Sequence, residues 1–264
     1  MKGICHIGAL MRLVQLGMID MNEIRAVAGS SVGAILGMFL ALRYSLDQIK
    51  ELVFQMDISK LVRPDITLLM TDFGMDDGAI INSFLEKVLE TTTGISEITF
   101  EQLYSSTQIE YTVVGSCVDT KKAVYYNHIN TPNFPVTLAI RISYSIPGFF
   151  TPVVIDNKKY VDGSVLDNFP MKVFEDRLDD TIGILLCGSC NTESIYPEDF
   201  VLAIINLLIH TYFQKSEKYP RHTIYVHNIP EELSVFGFRI DDISKEKLIQ
   251  CGVDATDAFC KKIN

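Results

Sequence analysis

The chain has 264 residues, of which 48% are hydrophobic and 21% are charged. This composition is typical of a globular protein, excludes a largely disordered chain, and supplies a core that needs no disulfide cross-links. The formal net charge at pH 7 is −10, from 23 Lys and Arg residues against 33 Asp and Glu residues. This acidic balance argues against nucleic acid as a partner and disfavours broad electrostatic attachment to anionic membranes, while a local apolar contact with lipid stays open.

Targeting and membrane-spanning segments are not evident in the sequence. Polar residues and glycines interrupt the segment after Lys2, which argues against a signal peptide, and no run of about 20 apolar residues could span a bilayer. The cysteines are scattered through a large chain, which favours free thiols in a reducing compartment. We therefore expect a cytoplasmic protein that is at most peripheral at membranes. The cysteines are Cys5, Cys117, Cys187, Cys190, Cys251 and Cys260.

Helical and strand-like patterns alternate along the chain, which predicts an α/β fold with helices packed around a mainly parallel sheet. Helices are predicted at 4–16, 34–43, 79–90, 135–143, 198–214 and 245–262, with a further helix capped by Ser45 and Gln48. Strands are predicted at 24–28, 109–118, 123–127, 153–155, 159–161, 181–186 and 222–227. One proline and two glycines interrupt residues 58–78, which are predicted to be irregular. No repeat or linker divides the chain, so we expect a single domain over 1–264.

The segment Gly29-Ser30-Ser31-Val32-Gly33 fits the pattern G-x-S-x-G, with Ser31 at its centre. The predicted strand at 24–28 leads directly into it and a helix-forming segment leaves it, which is the context of a nucleophile elbow. Such a turn exposes the serine hydroxyl beside the free N–H groups of a helix N-terminus, and the flanking glycines remove Cβ atoms that would collide. A plain glycine-rich turn with a capping serine fits the local sequence about as well.

A serine nucleophile needs a base, and the histidines offer no plain candidate, although a Ser-His-Asp triad could still assemble in space. Asp162 offers another route, because burial raises the pKa of a carboxyl group and a direct hydrogen bond makes the proton transfer local. Gly163 lets the chain turn sharply beside that carboxylate, but a simple Asp-Gly turn is the plainer interpretation of the pair alone. The histidines are His6, His128, His210, His222 and His227.

Several segments taken together resemble the patatin-like phospholipases. They are the G-x-S-x-G segment, RISYSIPGFFTPV at 141–153 and YVDGSVLDNFP at 160–170, and KGICHIGAL at 2–10 is similar to the family's start. The resemblance covers about residues 2–190 in the family's order. Residues 191–264 match the family less clearly.

The resemblance implies a three-layer α/β/α fold and a serine acyl hydrolase that cleaves fatty-acyl esters of phospholipids or related lipids. It implies Ser31 as the nucleophile and Asp162 as the base of a Ser-Asp dyad that works through an acyl-enzyme. The implied reaction is calcium-independent and uses no cofactor or metal. The expected partner is a phospholipid or other acyl-lipid substrate, with transient contact at a membrane surface and no nucleic acid.

The family's glycine-rich loop is where this sequence departs most from the pattern. The family begins with a strand and a G-G-G-x-[R/K]-G loop whose N–H groups form the oxyanion hole, and only Lys2-Gly3 of that box is present. We therefore expect a fold that lacks the first strand, with Gly3 at the oxyanion hole and the 24–28 strand short of a neighbour. Two explanations stay open: the true start lies upstream, or the chain is a degenerate relative.

Three functions compete on these grounds. The first is a lipid acyl hydrolase, the second is a catalytically impaired lipid-binding or regulatory relative, and the third is a Ser-His esterase of the α/β-hydrolase type. Removing one oxyanion donor costs about 100- to 1000-fold in rate, which motivates the second. Arg141 is expected to orient a substrate phosphate, brace the dyad loop or form a structural salt bridge. Residues 58–78 form either a lid or lipid-contact surface, or a loop packed on the core.

Overall fold

The computed structural model describes residues 2–187, 219–227, 229 and 240–263, so the helix predicted at 198–214 lies outside the described residues. It confirms the α/β fold class. The helices are α1 Ile4–Gln15, α2 Val32–Ala41, α3 Leu46–Gln55, α4 Ile66–Asp72, α5 Ala79–Thr93, α6 Phe100–Thr107, α7 Val136–Ser143 and α8 Asp242–Ile263. The strands are β1 Ala26–Ser30, β2 Glu110–Cys117, β3 Lys122–Tyr126, β4 Val153–Ile155, β5 Lys158–Asp162, β6 Gly183–Leu186 and β7 Thr223–Val226.

Strand β2 organises a five-stranded sheet through both of its edges. Val113 and Val114 each pair with β1 and with β3, so those two strands lie on opposite edges of β2. Residues 115–117 pair with β3 and with β5, so β5 is also opposite β3. It follows that β1 and β5 lie end to end along the same edge of β2, where they run in opposite directions.

The end-to-end arrangement brings two chain ends together. Ser30, the last residue of β1, is paired with Val114, and Asp162, the last residue of β5, is paired with Gly115. Val114 and Gly115 are consecutive residues of β2. The residues that follow β1 and those that end β5 therefore meet at one point of the sheet.

The five-stranded sheet is mixed, and β6 and β7 form a separate two-stranded sheet. Among the described strands, the parallel pairing that the sequence predicts extends only to β1–β2 and β6–β7. The β2–β3, β2–β5 and β4–β5 pairs are antiparallel. Residues 118–121 and 156–157 join two of these pairs, and both connections are too short for the crossover that a parallel pair needs. The predicted hairpin between β4 and β5 is confirmed, because Asp156 and Asn157 take φ values of 50° and 59°, as a type I′ turn requires.

The described chain enters the fold through α1, and within the described ranges β1 pairs only with β2. Among the described strands β1 thus lies at an edge of its sheet, as expected for a strand short of a neighbour. Helix α1 is held by α8 in a close crossing, since a Cβ added to Gly8 would lie 2.0 Å from the carbonyl oxygen of Ile249. An ion pair between Arg12 and Asp257, 2.7 Å long, ties the same two helices together.

The core lies on both faces of β2. Residues 111–117 are all buried, and because alternate side chains point to opposite faces, both faces are covered. Helices α2 and α7 share one face: the Tyr111 hydroxyl donates to the carbonyl of Ala34, and a Cβ added to Gly115 would lie 2.6 Å from Ile142. The start of α2 and the end of α7 are thereby held near the carboxyl end of β1.

Several element boundaries differ from those predicted. The strand predicted at 24–28 is shifted to Ala26–Ser30 and so reaches the elbow directly. The prediction that 58–78 is irregular is wrong, because this segment contains helix α4. None of the residues of α4 is buried, so the segment carries no core-facing periodicity to mark it as a helix. Helix α6 was also not predicted, although Thr99 and Gln102 form a capping box like the confirmed one at Ser45.

None of the described helices combines the length and the apolar composition that crossing a bilayer requires.

Candidate active site

Ser31 occupies a strained turn between β1 and α2. Its backbone has φ 53° and ψ −126°, in a region that costs a non-glycine residue about 1–3 kcal/mol. It stands at the N-cap position of α2, yet its side chain makes no capping hydrogen bond. The interpretation of Ser31 as a plain capping serine is therefore wrong, and the predicted strand–turn–helix context is confirmed.

The Ser31 hydroxyl donates instead to a buried carboxylate. Its Oγ lies 2.7 Å from Oδ2 of Asp162, whose residue is only 3% exposed. The other carboxylate oxygen, Oδ1, accepts from the backbone N–H of Ser164 at 2.8 Å. Burial raises the pKa of Asp162 to about 6, although the hydrogen bonds from Ser31 and Ser164 lower it. The carboxylate is thus ionised at neutral pH but is a stronger base than an ordinary aspartate.

Two serines at the end of α7 fix the backbone on both sides of this contact. The Ser31 N–H donates to Oγ of Ser143 at 2.9 Å, and the Asp162 N–H donates to the carbonyl of Ser145 at 2.8 Å. Both serines are fully buried. The sequence contains them within the RISYS stretch but gives no sign of their role, because a serine at a helix end is common and its partner is distant in sequence.

The two glycines of the elbow differ in whether a side chain could replace them without a steric clash. A Cβ added to Gly29 would lie 2.3 Å from the carbonyl oxygen of Gly33, so this position requires glycine. A Cβ added to Gly33 would meet nothing within 4 Å. The expectation that both glycines avoid collisions is therefore confirmed for Gly29 and wrong for Gly33. Gly163 resembles Gly29, because its Cβ would lie 2.2 Å from the carbonyl oxygen of Val114.

This difference predicts opposite effects of two matched substitutions. We expect Gly29→Ala to lower the free energy of unfolding by about 3 kcal/mol or more, because the added methyl group overlaps backbone that cannot move aside. We expect Gly33→Ala to be neutral or to stabilise by up to about 1 kcal/mol, because alanine favours the helical conformation of α2. Urea unfolding of the two variants measures the difference. Equal destabilisation by both would contradict this account of the elbow.

Arg141 braces the loops that surround the dyad. Its residue is 8% exposed, and its guanidinium donates to the carbonyl of Asp77 at 3.0 Å and to the carbonyl of Thr151 at 2.9 Å. A further N–H donates to the hydroxyl of Ser145, whose carbonyl holds the Asp162 backbone. Within the part of the chain that the structure describes, Arg141 forms no ion pair, so the bracing interpretation fits the contacts better than the salt bridge.

Gly3, the predicted oxyanion residue, lies beside the elbow. A Cβ added to it would be 2.3 Å from Cγ2 of Val32, the residue that follows Ser31. The first N–H groups of a helix have no acceptor within the helix, and both α1 and α2 begin at this point. The N-termini of α1 and α2 thus lie side by side at the elbow, and helix N-termini favour negative charge.

The described histidines do not supply a base. His6 lies with Nδ1 3.2 Å from the carbonyl oxygen of Gly3, and burial lowers its pKa. His128 stacks on Tyr104 with ring centroids 3.9 Å apart. Among residues 2–187 and 219–227, no histidine hydrogen-bonds to Ser31 or to Asp162, and His210 lies outside the described residues. The Ser-His interpretation therefore gains no support.

The described residues hold no group of three His, Cys, Asp or Glu side chains close enough to share a metal ion. Of the six cysteines, four are free thiols, as predicted, Cys251 is partly buried, and Cys190 lies outside the described residues. The four are Cys5, Cys117, Cys187 and Cys260.

Comparison with known proteins identifies similar chains. A family model described as patatin-like phospholipase matches residues 1–175. A protein called R571 of Acanthamoeba polyphaga mimivirus is 28% identical over 267 residues, which cover 95% of this chain and 87% of that protein. The probable lipid hydrolase 463L of Invertebrate iridescent virus 6 is 27% identical over 177 residues, which cover 66% of this chain and 59% of 463L.

Among solved structures, VipD from Legionella pneumophila superposes with a TM-score of 0.61 at 15% identity, covering 99% of this chain and 65% of that chain. At this identity the likeness shows the fold alone. The chain spans less than two thirds of the lengths of 463L and VipD.

Proposed function

Because the chain belongs to the patatin-like phospholipase family, a family of lipid hydrolases, we propose that it cleaves fatty-acyl esters of phospholipids or related lipids with Ser31 and Asp162. The observation that carries the proposal is the 2.7 Å hydrogen bond from the hydroxyl of a strained Ser31 to a buried carboxylate. A nucleophile within direct reach of its base is the arrangement that covalent ester hydrolysis requires.

In the first half of the reaction, Ser31 Oγ attacks the ester carbonyl carbon while its proton passes to Oδ2 of Asp162. The tetrahedral intermediate then collapses, the C–O bond to the alcohol breaks, and the departing oxygen takes the proton back from Asp162. The lipid alcohol leaves and the fatty-acyl group stays bound to Ser31. The pKa of about 6 suits this role, because Asp162 is ionised at rest yet basic enough to accept the proton.

In the second half, a water molecule gives a proton to Asp162 as its oxygen attacks the acyl carbonyl. Collapse of this intermediate breaks the bond to Ser31 Oγ, which recovers the proton from Asp162, and the fatty acid is released. The oxyanion of each intermediate is held by backbone N–H groups at the start of α2, with Val32 as the first donor, and beside them at Gly3. The charge at these two helix N-termini supports the same oxyanion.

The proposed substrate is a phospholipid or another acyl lipid. The protein meets it by transient peripheral contact with a lipid surface. Asp162 performs the proton transfers directly, so the proposed steps need neither a metal ion nor a cofactor.

A fluorophosphonate probe tests this function and separates it from the impaired lipid-binding relative. We expect folded protein to react stoichiometrically, with the adduct mapped by mass spectrometry to the peptide that contains Ser31. We also expect fatty acid to be released from phosphatidylcholine. Folded protein that binds phosphatidylcholine but neither reacts with the probe nor releases fatty acid would favour the lipid-binding relative. Release that stops when one histidine is changed and continues in Asp162→Asn would favour the Ser-His esterase.

A further inference from the structure

Three large apolar side chains stand exposed on helix α4 and its C-cap. Ile66 is 66% exposed, Met70 is 84% exposed and Phe73 is 60% exposed. Ile66 and Met70 are four residues apart and so lie on one side of the helix, and Phe73 follows at its end. The three exposed side chains are called here the α4 face. No residue of α4 is buried. The helix therefore stands on the body of the protein without contributing to its core.

The α4 face is held in place by polar contacts around the helix. Asp65 caps the helix, since its carboxylate accepts from the N–H of Thr67 at 2.8 Å and from the Thr67 hydroxyl at 2.7 Å. The Asp65 N–H donates to the carbonyl of Met75 at 2.6 Å, which closes the segment into a loop. Phe73 ends the helix in the left-handed region with φ 61°. The helix is therefore capped at its N-terminus, ends at a left-handed residue and carries exposed apolar side chains at both ends and in its middle.

The residues that follow this loop are hydrogen-bonded to the segment around Phe149, which leads to strand β4. The N–H groups of Met75 and Asp76 donate to the carbonyl of Phe149 at 2.7 and 2.9 Å. Arg141 donates to the carbonyl of Asp77, and its other contacts reach Ser145 beside the dyad. These hydrogen bonds fix the position of the α4 segment relative to Ser31 and Asp162.

The charges around the α4 face favour an electrically neutral lipid surface. Within residues 57–73 the two cations are Lys60, which is paired with Asp57 at 3.2 Å, and Arg63. Asp65 precedes helix α4 and Asp72 is its last residue. A polybasic cluster is what anionic membranes attract, and this segment carries more acids than bases. The net charge of −10 adds repulsion from anionic headgroups.

We propose that the α4 face inserts into the surface of a zwitterionic lipid layer and brings the active site to its substrate. This inference rests on the proposed function, because a hydrolase of membrane lipids must reach them at their surface. Insertion buries the three apolar side chains that water now surrounds. The adjacent acidic residues stay at the level of the headgroups.

Sedimentation with phosphatidylcholine vesicles tests the proposal on the full chain. The variant Met70→Gln/Phe73→Asn keeps helix-forming character at Met70 and suits the left-handed backbone at Phe73, while it removes the apolar surface. We expect its partition onto the vesicles to fall by about tenfold or more. The matched control Ile129→Gln/Val154→Thr changes two side chains that are 73% and 61% exposed in other elements, and it should bind as the wild type does.

A soluble short-chain ester keeps this test distinct from the test of the proposed function. We expect the α4 variant to hydrolyse the soluble ester at the wild-type rate, and to lose activity only on vesicles. If the wild type hydrolyses no ester but binds vesicles through the α4 face, the proposed function is contradicted and this inference is supported. Equal vesicle binding by the wild type and the α4 variant would overturn it, as would binding that increases when phosphatidylserine is added. A dimeric wild type that becomes monomeric in the α4 variant would also overturn it, because the face would then bind a second copy.

Discussion

Ser31→Ala is expected to lower kcat for ester hydrolysis by roughly 10³- to 10⁶-fold, the range seen when a nucleophile that acts with its base is removed. The hydroxyl group that donates to Asp162 is the only group removed, and the backbone strain at φ 53° is the same for alanine. We therefore expect the variant to fold and to keep its affinity for lipid vesicles. Fatty-acid release and labelling by a fluorophosphonate probe measure the loss.

Ser30→Ala provides a matched control one residue away. Ser30 is 8% exposed and its Oγ lies 3.1 Å from Oγ of Ser164, and among the described residues its hydroxyl makes no hydrogen bond to Ser31 or to Asp162. We expect this variant to lose about 1 kcal/mol of stability, as for one buried hydrogen bond, and to keep hydrolysis within about tenfold of wild type. An inactive Ser30→Ala together with an active Ser31→Ala would show that the nucleophile has been assigned to the wrong serine.

The parts of the site that depend on neighbouring residues could be predicted from the sequence. A strand, a serine between glycines and a helix are a local pattern, and so is an Asp-Gly turn after a strand. Such patterns single out Ser31 and Asp162 as candidates, and the resemblance to a family pairs them. What local patterns could not supply is the register of β2, in which Val114 and Gly115 bring the ends of β1 and β5 to one edge.

The supporting contacts escaped prediction for a related reason. Ser143 and Ser145 act through single hydrogen bonds to residues far along the chain, and each is buried at the end of a helix whose apolar spacing predicts only packing. Helix α4 escaped prediction because helix patterns are recognised by a buried face. A helix whose apolar side chains point into water resembles an irregular apolar loop in sequence. The sequence therefore indicates a candidate lipid-contact surface within 58–78 but not the helix that presents it.

The backbone of Ser31 and the ionised carboxylate of Asp162 both lower the free energy of unfolding. The backbone of Ser31 is strained, and the carboxylate of Asp162 is ionised in an environment that favours its neutral form. Both costs fall on the atoms that would react, while Arg141, Ser143 and Ser145 hold the surrounding backbone in place. A site built in this way should gain stability when its function is removed.

Asp162→Asn is expected to abolish hydrolysis and to stabilise the fold at the same time. Activity is lost because an amide cannot take the Ser31 proton, and a loss of roughly 10³-fold or more should be seen in fatty-acid release. The stability follows from the pKa of about 6 in the folded protein against the ordinary 3.8, a difference that corresponds to about 3 kcal/mol. The wild type carries that cost wherever the carboxyl is ionised, and asparagine does not ionise.

The pH dependence of this stabilisation follows from the raised pKa of Asp162. Because folding raises the pKa of Asp162, its contribution to stability is complete below about pH 4 and is lost as the pH rises through about 6. The free energy of unfolding of Asp162→Asn, relative to wild type, should therefore increase from about pH 4 to about pH 6 and level off above. Wild-type kcat/KM should fall tenfold per pH unit below about 6, as the base becomes protonated.

Asp167→Asn is the control for these measurements. Asp167 is 9% exposed, accepts from the Tyr125 hydroxyl and lies 3.7 Å from the ammonium of Lys172, so it is another buried carboxylate of the same loop. Among the described residues it makes no hydrogen bond to Ser31. We expect this variant to keep hydrolysis within about tenfold of wild type, because proton transfer does not pass through it. Urea unfolding across the pH range, with fatty-acid release on the same samples, gives both readouts.

Hydrolysis that survives Asp162→Asn would remove Asp162 from the role of base, because its carboxyl group would then do nothing in the reaction. A stability difference that shrinks as the pH rises would also contradict that role, because the carboxyl group would then not have the raised pKa that the role requires.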